Sequence, residues 1–238
     1  MTESDWTLDP KINASMETFE LPPASFMEKL MAERAPIEAG APQVGNPAPE
    51  FEALNLSKKG LSKKGLSEKN LSENGLSEEG LSAEGTPTDQ RVGLADYRGR
   101  DLALVFGNVT CPIYRGQIRR LNEIHDELKD RYAFLLIYIS EAHPEDGWQV
   151  DINREQNVIY DQPVTMTERC AIAQGCVRGH EIKMPVAIDD MNNTINNLYA
   201  GSPERLYLVD KDGIVRHRSV PGPFKLDVIE TWYRFLKA

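Results

Sequence analysis

The sequence predicts an α/β domain with a central mixed sheet flanked by helices, and three features carry that expectation. Apolar runs at 102–106 and 133–139 read as strands buried on both faces. Between them, Ile118, Leu121, Ile124 and Leu128 recur at helical spacing within the breaker-free stretch 117–130. Strand, helix and strand in that order imply parallel neighbours. The third feature is a pair of runs, 205–209 and 214–218, about Asp210-Lys211-Asp212-Gly213, a turn signal for antiparallel strands.

Residues 1–40 form a polar N-terminal arm. Within it, 25–33 can make a docked helix, with Ser25 as N-cap, Glu28 at the capping-box position, and Phe26, Leu30 and Met31 on one side. A Gly/Pro-rich lead-in at 40–49 precedes a short strand at 51–56. Residues 55–85 are a tandem repeat of six five-residue units, each opening with Asn or Gly followed by Leu-Ser. A period of five matches neither 3.6 nor 2, so the leucines line no single face. A β-helix of pentapeptide repeats would force Lys59, Lys64, Lys69, Asn74 and Glu79 inward. The array therefore reads as a flexible insertion extruded between two strands of a hairpin. The domain proper is then 41–54 together with 86–238.

Beyond the strand at 133–139, the stretch 149–164 reads as irregular. A helix at 165–173 opens on a capping box of Thr165 and Glu168. A strand at 185–188, a short helix at 192–199, the hairpin and an amphipathic helix at 226–236 complete the chain. This order of elements is that of an elaborated thioredoxin-like fold.

Composition narrows the function. Lys and Arg total 27 against 37 Asp and Glu, a net charge of −10, which argues against a nucleic-acid partner. No run of 18 apolar residues suggests a membrane span. The acidic start, Met1-Thr2-Glu3-Ser4-Asp5-Trp6, lacks the apolar core of a secretion signal. Three cysteines make no disulfide scaffold, so a reduced, cytoplasmic setting is expected. His125 falls on the exposed side of its helix, His180 and His217 have no convergent partners, and no metal cluster is visible.

Chemistry centres on Cys111. Pro112 suits a first helical turn, which places Cys111 at a helix mouth. Backbone N–H groups and the helix dipole there favour thiolate over thiol. The competing reading is a buried structural cysteine. Tyr114 removes the Cys-x-x-Cys of a dithiol oxidoreductase. Thr110, directly before Cys111, with Gly107 and Asn108 upstream, breaks the Pro-x-x-x-Thr-x-x-Cys of a peroxiredoxin.

One family fits better. Phe106-Gly107-Asn108-Val109-Thr110-Cys111-Pro112 resembles the active-site segment of the iodothyronine deiodinases, in which selenocysteine stands at the Cys111 position. The stretch 138–148, the runs 185–193 and 203–207, and Gly222-Pro223-Phe224 are similar to further family signatures, in order and over roughly 90–238. The resemblance implies reductive removal of iodine from an iodinated aromatic, with no bound cofactor. The reductant would be an external thiol such as thioredoxin, glutathione or dithiothreitol. It implies Cys111 as nucleophile beside Thr110, His143 as proton donor and Glu141 as its orienting carboxylate. Arg205 would face an anionic group of the substrate or steady the thiolate, or else merely pair with Glu204 or Asp189. Trp148 would pack at the substrate side. Cys170 and Cys176 could resolve Cys111 through a mobile segment, or be ordinary small hydrophobes. Two other functions stay open: a peroxiredoxin-like thiol peroxidase, and a non-enzymatic binding protein on a redox fold. Partners are then a small aromatic halide or peroxide and a thiol, with a homodimer allowed.

Overall fold

A computed structural model describes residues 24–56, 90–220 and 228–238. The repeat from residue 57 onward, the arm before residue 24, and Gly222-Pro223-Phe224 lie outside the described residues. Helix α1 spans Ala24–Gly40, strand β1 Glu52–Asn55 and strand β2 Arg91–Gly93. Strand β3 (Leu102–Gly107), helix α2 (Pro112–Leu128) and strand β4 (Ala133–Tyr138) follow. Next come α3 (Asp151–Glu155), α4 (Met166–Gly179), β5 (Val186–Ile188) and α5 (Thr194–Tyr199). Strands β6 (Arg205–Val209) and β7 (Val215–Arg218) and helix α6 (Val228–Lys237) end the chain.

The strands form one mixed sheet in the order β2-β1-β5-β4-β3-β6-β7. Strand β3 lies centrally, parallel to β4 and antiparallel to β6, and β6 pairs antiparallel with β7. A β3-α2-β4 unit joined to a β6-β7 hairpin and a closing helix is the thioredoxin-like arrangement. Strands β1 and β2 pair antiparallel, so the segment between them connects two hydrogen-bonded neighbours.

All six β3 residues are buried, which explains their unbroken apolar character. Ala103 and Val105 meet Ile118, Leu121 and Trp232 on one face. Leu104 and Phe106 meet Tyr199 and Tyr207 on the other. Gly107, the last residue of β3, makes room for α2: a Cβ there would lie 2.3 Å from the Tyr114 ring.

Several expectations are corrected. Helix α1 runs seven residues past 33, with Ser25 inside it. Met27, Leu30, Arg34, Ile37 and Glu38 form its half-buried side, whereas Phe26 and Met31 are exposed. The stretch 149–164 contains the short helix α3, too brief to show a period. His125 is half-buried, its ring edge-on to Phe134 at 5.2 Å, rather than exposed. The Thr165 and Glu168 capping box is present, but α4 continues to Gly179 and so carries both Cys170 and Cys176.

Candidate functional site

The site is built on the turn that leaves β3. Asn108 is wholly buried, and its Oδ1 lies 3.0 Å from each of Cys111 N, Ala142 N and Thr110 Oγ1. An amide oxygen has two lone pairs, which the two backbone N–H groups fill. The single Thr110 hydroxyl proton goes instead to Glu141 Oε2, nearer at 2.7 Å. Thr110 N donates to the same carboxylate oxygen at 3.0 Å. Tyr138 OH donates to Glu141 Oε1 at 2.6 Å and accepts from Val109 N at 3.1 Å. Every partner donates, which suits an ionised, acceptor-only carboxylate, while burial pulls its pKa upward. Asn108 Nδ2 reaches the Pro203 carbonyl and so ties the turn to the segment before β6.

The structure brings Thr110, Glu141 and His143 together, with one difference in connectivity. Glu141 does not bond the His143 ring. His143 N donates to Thr110 Oγ1, so Glu141 acts on that loop through Thr110. The His143 ring is fixed by Trp148, whose carbonyl lies 3.0 Å from Nδ1. A carbonyl only accepts, so Nδ1 carries the proton and Nε2 the lone pair of the neutral ring. Burial, with Arg115 adding repulsion, lowers the His143 pKa to about 4 despite the Trp148 carbonyl. His143 is therefore neutral at pH 7 and must gain a proton before it can give one. The Trp148 ring stands edge-on to His143 at 4.6 Å, in keeping with a packing role.

Cys111 is the N-cap of α2, as the spacing implied, but is only 1% exposed. Burial and the nearby Glu204 carboxyl push its thiol up to about 12, although Arg115 and the N–H groups of Tyr114 and Ile113 pull the other way. The helix mouth pulls toward thiolate as expected, but burial pulls the other way and outweighs it.

Arg205 is also buried, and it pairs with Glu38 of α1 rather than with Glu204 or Asp189. It donates as well to the Ser219 carbonyl at 3.1 Å. Its register partner is Phe106, whose side chain lies on the sheet face away from α2. Cys170 and Cys176 are buried free thiols. Burial raises Cys170 to about 11 and raises Cys176 still further. Cys176 lies within electrostatic reach of Tyr114 and Tyr138, as Cys111 does of Tyr114.

The roles of four residues escaped the sequence reading. Asn108 enters the sequence reading only as part of the family segment, with no role of its own. Arg115 donates to the Val109 carbonyl and to Asn153 Oδ1, and Asn153 Nδ2 donates to the Thr110 carbonyl at 2.9 Å. Glu204 accepts from Gln117 at 3.2 Å, and burial pushes it up to about 7. The available signal was chemical type: amides and charges set among apolar runs on a helix mouth and a strand lead-in. Among the described residues no group of His, Cys, Asp and Glu could hold a metal, and no helix is long and apolar enough to cross a membrane.

The chain is similar to several known proteins. The chain is 30% identical over 147 residues to a thyroxine 5-deiodinase of Gallus gallus, covering 60% of this chain and 55% of that one. It is 31% identical over 125 residues to a type I iodothyronine deiodinase of Xenopus laevis, covering 52% and 47%. The chain spans about half the length of the curated relatives it matches. The thioredoxin domain of a thiol-disulfide oxidoreductase from Bacteroides vulgatus aligns with a TM-score of 0.47 and 13% identity, over 82% of this chain and 98% of that one. A family model described as iodothyronine deiodinase matches residues 43–236. On that match the chain belongs to the iodothyronine deiodinase family.

Proposed function

We propose that this chain is a thiol-dependent reductive dehalogenase of an iodinated aromatic, with Cys111 as nucleophile. The observation that carries the reading is a lone cysteine at the mouth of α2, set in this family's segment and held by Asn108. In the proposed step the Cys111 sulfur takes the iodine and forms an S–I bond. The electron pair of the broken C–I bond stays on the ring carbon, which takes a proton. The thiol proton balances the step: aryl iodide and thiol give aryl hydrogen and a sulfenyl iodide. His143, neutral at pH 7, suits a shuttle that accepts that proton and delivers it. One external thiol then attacks the sulfur, releasing iodide and leaving a mixed disulfide. A second thiol frees Cys111. No bound cofactor is required, and thioredoxin, glutathione or dithiothreitol can supply the two electrons.

Incubation with dithiothreitol and an iodinated phenol, followed by iodide measurement, tests this. The wild type should release iodide and Cys111→Ala should release none. Equal release from both proteins, or none from either, would remove the reading.

A further inference from the structure

Arg115 stands one helical turn along α2 from Cys111, whose carbonyl accepts its backbone N–H at 3.1 Å. It is buried, at 7% exposure. Its guanidinium reaches back to the turn that carries Cys111. Nη1 donates to the Val109 carbonyl at 2.5 Å, and Nη2 donates to Asn153 Oδ1 at 2.8 Å and Gln156 Oε1 at 2.7 Å. Nε reaches the same Gln156 oxygen at 3.3 Å. Asn153, wholly buried in α3, completes the connection: Nδ2 donates to the Thr110 carbonyl at 2.9 Å and to Gln149 Oε1 at 2.8 Å. Arg115 and Asn153 thus tie the two residues before Cys111 to α3.

Every acceptor in this set is neutral, and among the described residues no carboxylate forms an ion pair with Arg115. A buried cation normally has a counter-charge. The other buried arginines do: Arg120 pairs with Glu230, Arg205 pairs with Glu38, and Asp189 exerts the strongest attraction on Arg169. On Arg115 the strongest attraction comes from the Cys111 sulfur, ahead of Cys176, Glu141 and Tyr138. The same cation opposes a proton on His143 and on His180, while Glu204 opposes a negative charge on Cys111 from the β6 side.

We propose that Arg115 is a positioning residue for the Cys111 nucleophile: its fork and Asn153 fasten the turn before Cys111 to α3, and its unpaired charge is held for the thiolate that forms there. The proposal rests on the dehalogenase reading for the role of Cys111 and adds the group that balances its charge. Loss of the thiol proton gives Arg115 its counter-charge. Repulsion from Arg115 keeps that proton from resting on His143, which suits a shuttle.

The test uses the full chain and needs no turnover, so its failure is separable from failure of the dehalogenase reading. Alkylation of Cys111 by iodoacetamide is followed by mass spectrometry across the mildly alkaline range, with Cys170 as the buried reference. Clamp and charge move the rate in opposite directions. Loosening the turn exposes the thiol and speeds alkylation, whereas removing the cation leaves less thiolate and slows it. Arg115→Gln removes the charge and should slow Cys111 about tenfold at each pH, a displacement of the rate profile by about one pH unit upward. Arg115→Lys keeps the charge without the fork and should alkylate no more slowly than the wild type. Asn153→Ala keeps the charge and loosens the clamp, and should alkylate about three times faster at Cys111 with Cys170 unchanged. Wild-type or faster alkylation of Cys111 in Arg115→Gln would overturn the proposal. So would slow alkylation in Arg115→Lys, or alkylation in Asn153→Ala no faster than in the wild type. Faster alkylation of Cys170 together with Cys111 in Arg115→Gln would overturn it too, since Arg115 would then hold the fold rather than the thiolate.

Discussion

Two buried polar clusters flank the candidate site, and they are satisfied differently. In the turn before Cys111 the polar atoms are matched: Asn108 Oδ1 takes two N–H groups, and Glu141 takes Thr110 and Tyr138. In the cluster below α1, two guanidinium groups share one carboxylate and keep unpartnered Nε atoms. The first cluster belongs to the fold, because each group removed there strands another in a low dielectric. The second lacks that closure, with the Nε atoms of Arg205 and Arg218 left unpartnered. Burial alone would not distinguish them. Completeness of hydrogen bonding does.

The largest expected effect is at the matched cluster. Asn108→Ala leaves Cys111 N and Ala142 N without their side-chain acceptor and unties the Pro203 carbonyl. Cys111 N keeps its 3.4 Å bond to the Asn108 carbonyl, so Ala142 N is the donor stranded outright, and at about 1–3 kcal/mol for a stranded donor a loss of roughly 2–3 kcal/mol is expected in urea unfolding. A loss below about 1 kcal/mol for Asn108→Ala would mean that the turn holds itself without Asn108, and the contrast between the clusters would collapse.

The sequence revealed the scaffold of this site better than its contents. Strands β3 and β4 were legible because burial on both faces imposes an unbroken apolar run, and α2 because its inward face repeats at the helical period. Cys111 was legible from the strand, Pro112 and the family segment together. The role of Asn108 was not, because its acceptor work depends on Ala142, which the fold delivers from the loop after β4. The thiol's elevated pKa was hidden for the same reason: a local rule about helix mouths cannot count the atoms that exclude water. Helix α1 was half legible. Its docked side is set by Trp148, Ser202, Arg205 and Arg218, all more than a hundred residues away in sequence.

An intermediate effect is expected at Glu204, beside Cys111. Its carboxyl sits at about 7 instead of the usual 4.5, so ionisation is disfavoured in the folded state. A raised folded pKa gives stability that is fully present below the unfolded value and is lost as pH rises through the folded one. Glu204→Gln removes that dependence. Between pH 4 and pH 8 the variant should gain about 3 kcal/mol relative to the wild type, read as the difference in urea midpoints at each pH. A difference that stays flat over this range would show that Glu204 titrates normally.

The smallest effect separates the two clusters most finely. The Glu38–Arg218 contact is an ion pair, but the Glu38 side chain is 37% exposed against 12% for Arg218. Water reaching the carboxylate screens the attraction, and α1 loses side-chain freedom in making the contact. A double-mutant cycle of Glu38→Gln and Arg218→Met should therefore give a coupling energy below about 1 kcal/mol, falling further in high salt. The corresponding cycle of Thr110→Val and Glu141→Gln, across a buried charge-assisted bond, should give a larger coupling that salt barely changes. Should the Glu38–Arg218 coupling match the Thr110–Glu141 coupling and resist salt, α1 would be held as firmly as the turn before Cys111, and the contrast between the two clusters would fail.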